Sequence, residues 1–520
     1  MANAQGVQSM LKTALLFGDG AVLQRDKRIP IWGYAAPHAP VSISVQGQTA
    51  RTIANEKGEW LAYCGPLRAS RAEEVCIRSG DEQLRLREVA VGEVWIAGGQ
   101  SNMELPMRYD AALREELARC DGDIRFFDYP EVAYEGQLEE ADYSQWYGHW
   151  MRCVPGSLER FSAVGYHFAR SLRKRWADVP VGIVGCNWGG TPACAWMPEE
   201  AIRACGGEKW LEGYAEATAT LDLKKYMADF RADARNYRTD QLADPLADIL
   251  QIGYPTDVIL QKVAELGLTD ALQPVMGPFC ERRPAGLYRS MVCQVAPYGA
   301  RGVLWYQGEA DDERAELYHR IFPALIRSWR NLWGEELPFL FVQLAPFERW
   351  MACRGDRYPE VRSAQQWVAD NVPNTAMAVI TDCGSRWDIH PKEKRPVGER
   401  LALLAARYVY GADVLCEAPR MKSAAVSDSH IDIRFDHAGD GLHLDGARLD
   451  GLELYQDGYP VGYDACAAEG DTLTVLGESI RADAPTQVRL AWTGYCKVGL
   501  KNSAGIPARP AILSANERRA

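Results

Sequence analysis

The chain has 520 residues, 47% hydrophobic and 25% charged, with a formal net charge of -12. That length exceeds one simple core and predicts about two to four domains. The acidic balance argues against a nucleic-acid binder, which needs clustered Lys and Arg, and against a strongly anionic polymer as substrate unless a local basic pocket overrides the global sign.

Residues from about 13 to 90 alternate polar and apolar in short stretches: Ile29 to Gly33, Val41 to Val45, Thr49 to Ile53, Glu59 to Tyr63, Glu74 to Ile77 and Gln83 to Val91. Turn residues such as Asn55-Glu56-Lys57-Gly58 separate them, a pattern that suits a small antiparallel sandwich. From about residue 92 the pattern changes to buried-type strands at Val94 to Ala97, Val181 to Gly185, Gly302 to Tyr306, Phe339 to Leu344 and Ala376 to Thr381. Helical patterns over Leu158 to Trp176, Glu313 to Trp333 and Val397 to Tyr410 alternate with them, which predicts an α/β fold with a parallel sheet flanked by helices. Between Pro198 and Pro284 the chain reads as mostly helical, including Leu221 to Arg235 and Asp257 to Leu266, an insertion over the sheet. Past Gly411 strands return: Ile431 to Phe435, Leu452 to Tyr455, Thr472 to Leu476 and Gln487 to Trp492. The expected domains are 1–91, β-sandwich-like; 92–410, catalytic, with the insertion at about 198–284; and 411–520, β-rich.

Fourteen cysteines include no C-x-x-C pair, and Cys186, Cys293 and Cys383 lie in apolar stretches, as buried thiols of a reducing compartment do. Met1 to Leu16 carries no apolar run of signal-peptide length and no stretch approaches a membrane span, so the expected location is cytoplasmic, with no membrane partner. Sixteen Trp and 23 Tyr supply flat rings that stack on sugars, although such rings more often fill cores.

The chemistry concentrates at strand ends. Gly98-Gly99-Gln100-Ser101-Asn102-Met103 follows the strand Val94 to Ala97 and puts a serine where a helix begins. There the hydroxyl is exposed and the unpaired N–H groups of the next turn can hold developing negative charge. A Ser-Asn after two glycines is by itself more often a helix cap than a nucleophile. A serine nucleophile needs a base, and among eight histidines His390 stands out, after the last predicted strand and before a long amphipathic helix, with Asp388 two residues earlier to orient its ring. Asn187-Trp188-Gly189-Gly190-Thr191 and Trp305-Tyr306-Gln307-Gly308-Glu309 end two further strands. Their glycine N–H groups and the Gln307 amide are oxyanion-donor candidates. Asp440-Gly441-Leu442-His443 offers a second Asp–His spacing, in the β-rich region and without the strand-then-helix context.

Taken in order, Gly99-Gln100-Ser101-Asn102-Met103, Trp188-Gly189-Gly190-Thr191, Trp305-Tyr306-Gln307-Gly308-Glu309 and Asp388-Ile389-His390-Pro391 resemble the blocks of the sialate O-acetylesterase family of SGNH hydrolases. The flanks Asp19 to Asp26, Pro284 to Tyr288 and Val397 to Ala402 are similar too. The resemblance implies a flavodoxin-like SGNH core that hydrolyses acetyl esters on sugars, with Ser101 as nucleophile and His390 as base. The Ser101 N–H, Gly189 or Gly190, and Gln307 would form the oxyanion hole. Gln100, Asn102, Glu309 and Asp311 are expected to contact substrate, with Asp311 standing where relatives carry Asn. The position three before the histidine, where SGNH hydrolases carry the carboxylate, is Trp387, so Asp388 either completes a triad or the site works as a Ser–His dyad. No metal or organic cofactor is implied, and the expected partner is a small O-acetylated sugar or oligosaccharide. Acetylated xylan or another plant glycan is the alternative substrate, and a non-catalytic carbohydrate-binding protein on an esterase fold is the alternative class. A lipase or peptidase is disfavoured because Met103 stands where the G-x-S-x-G elbow needs glycine.

Overall fold

The computed structural model describes residues 11–141, 146–237, 240 and 242–515. Met1 to Met10, on which much of the leader reading rests, lie outside the described residues. Seven strands form the main sheet: β1 (Glu82–Gly99), β2 (Ile124–Asp128), β3 (Trp150–Arg152), β4 (Val181–Asn187), β5 (Gly302–Tyr306), β6 (Phe339–Val342) and β7 (Thr375–Ala378). Their spatial order is β3-β2-β4-β1-β5-β6-β7. All run parallel except β3, which closes one edge antiparallel to β2.

The 18-residue β1 unites two stretches that the sequence separates, Gln83 to Val91 and Val94 to Ala97. Its first part alternates in burial and pairs antiparallel with Ser70–Ser79. From Val89 onward every residue is buried: Ala90 to Gly92 pair with Val22–Gln24, and from Glu93 on β4 and then β5 flank the strand while helices cover both faces. Gly92 marks the junction: a Cβ there would stand 2.0 Å from the Pro180 carbonyl oxygen. Sequence reading misses β2 and β3, since Arg125 interrupts the apolar run of β2. Arg125 is 1% exposed and donates to the carbonyls of Gly20, Glu88 and Arg71, clamping the N-terminal strands to the parallel sheet.

Helices α1 (Ser101–Glu104), α2 (Ala163–Arg175), α3 (Ala315–Trp333), α4 (Tyr358–Asn371) and α5 (Arg395–Tyr408) belong to this unit. The predicted helix from Leu158 starts later, at Ala163, because the Ser162 hydroxyl accepts the Gly165 N–H at 3.1 Å and caps it. On one face Phe168 of α2 meets Trp95 edge-on at 5.0 Å; on the other Trp305 and Trp329 of α3 meet at 5.5 Å. Both Trp305 and Trp329 are fully buried, and truncating either would cost about 3–5 kcal/mol. The stretch after Pro198 folds as short helices, among them Leu223–Ala232, Pro245–Gln251 and Thr256–Glu265.

Two four-stranded antiparallel sheets follow α5 and enclose a separate core around Ile431, Ile433, Leu473, Val488 and Leu490. Arg362 of α4, fully buried, holds this unit to the main one by donating to the Thr493 and Gly494 carbonyls at 2.8 Å. All fourteen cysteines are unpaired; Cys186 and Cys383 are buried as expected, whereas Cys293 is only half-buried. No helix among the described residues is long and apolar enough to cross a membrane.

Candidate active site

The ends of β4, β1 and β5 lie level, with Gly99 opposite both Asn187 and Tyr306. From β1 the chain builds β2 and β4 on one side and then β5, β6 and β7 on the other, so β1 stands where the strand order reverses, the place where open α/β sheets put their sites, at the carboxyl ends of the strands. Gly99 has φ +134°, and a Cβ there would fall 2.2 Å from the Tyr306 carbonyl oxygen. Only glycine lets the chain turn here and present Ser101 as the first residue of α1.

Tertiary structure brings His390 to this turn, its Nε2 2.9 Å from the Ser101 Oγ. The imidazole is 5% exposed, and Trp350, in the hairpin of Arg349–Trp350 and Cys353–Arg354, meets it edge-on at 5.3 Å. Burial first, then the ammonium groups of Lys392 and Lys394, push His390 well below the ordinary histidine value, so the ring is neutral and free to accept a proton.

Asp388 does not orient that ring. Its Oδ1 accepts the backbone N–H of His390 at 2.8 Å and its Oδ2 pairs with Lys392 at 3.1 Å. With only one residue between them, the carboxylate folds back on the main chain as an Asx turn instead of reaching Nδ1. Among the described residues Nδ1 has no partner in good hydrogen-bond geometry, yet the Leu250 carbonyl bears on the ring and favours its protonated form. Leu250 lies in the last turn of Pro245–Gln251, where helix carbonyls lack intrahelical donors. The insertion thus touches the site, which nothing in the sequence signals.

Gly189 sits against the nucleophile: a Cβ there would be 3.3 Å from the Ser101 Cβ and 3.0 Å from Glu104 Oε2. Gly190, at φ +72°, faces Arg282 instead. The N–H groups of Ser101 and Gly189 meet no acceptor among the described residues. Gln307 departs from its expected oxyanion role, because its amide is already engaged. It is fully buried, with Nε2 donating to Asp311 Oδ2 and the Thr191 carbonyl and Oε1 accepting from the Tyr318 hydroxyl at 2.9 Å.

The four expected substrate contacts also face inward. Gln100, 3% exposed, accepts the Ala310 N–H at 3.2 Å. Asp311, 2% exposed, accepts the Ala193 N–H at 2.8 Å. Asn102, 1% exposed, donates to Glu309 Oε1 at 2.6 Å and to the Ile389 carbonyl at 3.0 Å. These side chains bracket the strand ends together, with Glu309 Oε2 and Asp311 Oδ1 left without a hydrogen-bond partner among the described residues. Lys394, which sequence reading passes over, completes the bracket by donating to Asn102 Oδ1. Burial pushes the Glu309 carboxyl up to about 7 and, with Lys392 nearby, the Lys394 ammonium down to about 7.

His443 is three-quarters exposed on the C-terminal sheets and pairs with Asp445 at 3.2 Å, leaving Asp440 elsewhere. No cluster of three His, Cys, Asp or Glu suited to a metal ion occurs among the described residues.

Comparison with known proteins agrees with this geometry. Residues 280–406 match the family model for carbohydrate esterase, sialic acid-specific acetylesterase. The chain is 28% identical over 418 residues to the sialate O-acetylesterase of Rattus norvegicus, covering 73% of this chain and 70% of that one. It is 26% identical over 422 residues to the Homo sapiens sialate O-acetylesterase, covering 73% and 67%. A solved structure of a novel carbohydrate acetylesterase from Xanthomonas citri superposes with TM-score 0.72 at 29% identity, over 96% of this chain and 99% of that one. The mixed α/β sheet, the level strand ends and these likenesses lead to one conclusion: the chain is a carboxylic ester hydrolase similar to the sialate O-acetylesterases.

Proposed function

We propose that the protein is a serine carbohydrate O-acetylesterase working through an acetyl-Ser101 intermediate. One observation carries the reading, the 2.9 Å contact between His390 Nε2 and Ser101 Oγ at the strand-order reversal. Ser101 Oγ attacks the acetyl carbonyl while the neutral His390 takes its proton. The Ser101 and Gly189 N–H groups hold the oxyanion, each such donor being worth about 10²–10³ in turnover. His390 then protonates the departing sugar oxygen, and a water activated by the same ring releases acetate. With Asp388 folded on the main chain, the pair acts as a Ser–His dyad.

The strand order supports a flavodoxin-like SGNH core within 92–410, between flanking β-rich domains. Fourteen unpaired thiols support a reducing compartment. For the substrate, the relatives' names support an O-acetylated sialic acid. Arg282 is a candidate for its carboxylate, with Nη2 3.3 Å from where a Gly190 Cβ would stand, one residue from the glycine that packs on Ser101, and with Nε 3.6 Å from Glu281. Of the other arginines suited to a sialate carboxylate, Arg108 donates to the Leu242 carbonyl, Arg283 to that of Ala133, and Arg289 lies near Glu199. Acetate release by wild type and Ser101→Ala, on O-acetylated sialic acid and acetylated xylo-oligosaccharides side by side, tests both points. Activity retained in folded Ser101→Ala removes the mechanism, and preference for the xylo-oligosaccharide moves the substrate to neutral plant glycans.

A further inference from the structure

Lys394 is the wrong residue for its place by local rules. It is the N-cap of α5, the positive end of a 14-residue helix, where a cation is disfavoured. It is also 1% exposed, and burying an ammonium costs more than any helix-end penalty. Such violations of local preference are expected where function demands them. What surrounds the group is built to hold it: Asn102 turns its carbonyl oxygen to Lys394 and its amide N–H groups to Glu309 and the Ile389 carbonyl. One asparagine, next to the nucleophile, thus joins a buried ammonium, a buried carboxylate and the backbone just before His390.

Resting on the serine–histidine reading above, we propose that Lys394 is a positioning residue for His390, its charge lodged behind the loop to lock that loop onto the Ser101 turn and hold the imidazole in its proton-accepting form. Lys394 follows His390 by four residues and is fixed from three elements. Its backbone N–H donates to Asp110 Oδ2 at 3.0 Å, its ammonium reaches Asn102, and it lies 5.3 Å from the centre of the Tyr306 ring. The charged groups that face it are Glu309 from the turn after β5, Asp110 from the segment after α1, and Asp388 and Lys392 from its own loop. Asp110 is shared with His167, whose Nε2 lies 3.2 Å from Oδ1. Facing His390 are the two lysines, the Ser101 hydroxyl, the Trp350 ring and the Leu250 carbonyl. Among the described residues no carboxylate hydrogen-bonds the imidazole ring, and the two lysine charges act on it.

The test is the pH profile of kcat/KM for 4-nitrophenyl acetate, read at the isosbestic wavelength, for the full-length wild type, Lys394→Met and Lys394→Gln. Methionine removes charge and hydrogen bond together; glutamine keeps a donor for Asn102 but removes the charge. Both are expected to move the acid limb upward by about one pH unit, the size of shift that a buried neighbouring charge produces. Asn102→Ala, which loosens the bracket and leaves the lysine, is expected to lower kcat without raising the limb. A limb that stays at the wild-type position in whichever Lys394 variant folds overturns the proposal. So does an equal upward shift in Asn102→Ala, since that is the signature of general loosening. Activity that survives in Ser101→Ala would instead overturn the underlying mechanism, so the two failures are told apart.

Discussion

Replacing Asp388 by Asn separates a dyad from a triad. Where a carboxylate orients the catalytic imidazole, its conversion to the amide costs about 10⁴ in kcat. In this protein Asp388 Oδ1 accepts the His390 backbone N–H at 2.8 Å, a bond that the Asn carbonyl oxygen retains. What Asn removes is the 3.1 Å pair with Lys392, between side chains 15% and 22% exposed. A pair of that exposure contributes about 0.2–1 kcal/mol, and leaving Lys392 half-buried without its counter-ion adds a comparable amount. The expected loss in kcat is therefore about tenfold or less, which is about 1.4 kcal/mol of barrier. Asp388→Ala also loses the Asx turn, a further loss of about 1 kcal/mol in stability, and should lower both kcat and the thermal midpoint. The assay is steady-state hydrolysis of 4-nitrophenyl acetate at about pH 8, with thermal unfolding followed in parallel. A fall of about 10³ or more in Asp388→Asn, at an unchanged midpoint, would refute the reasoning and place the carboxylate on Nδ1 in the reacting enzyme.

Gln307→Ala should act on stability before chemistry: it removes one of the two bonds at Asp311 Oδ2 and one of the two at the Tyr318 hydroxyl, both in the buried interior, at about 1–3 kcal/mol in urea unfolding. A loss of about 10² in kcat with unchanged stability would restore it as an oxyanion donor. Gly189→Ala, whose Cβ would meet Glu104 Oε2 at 3.0 Å and the Ser101 Cβ at 3.3 Å, should displace one oxyanion donor and lower kcat by about 10–10³-fold with KM little changed. Wild-type kcat in that variant would move the donor to Gly190.

The sequence by itself determined which residues stand at the strand ends and in what order, because glycine pairs, apolar runs and a single well-placed histidine are local signals. Ser101 and His390 were legible for that reason, as were β5, whose five residues form one apolar run, and the helical periodicity of α3. Tertiary structure alone decided how the polar side chains divide between the cleft and the interior. Gln100, Asn102, Gln307, Glu309 and Asp311 look alike in sequence whether they face a sugar or one another, and packing turned all five inward, where each hydrogen-bonds a neighbour. Lys394 and the Leu250 carbonyl were invisible for the complementary reason. A lysine after Glu393 reads as a solvated helix start, and a main-chain carbonyl has no sequence signature at all, so only the folded chain shows that both lie beside the imidazole.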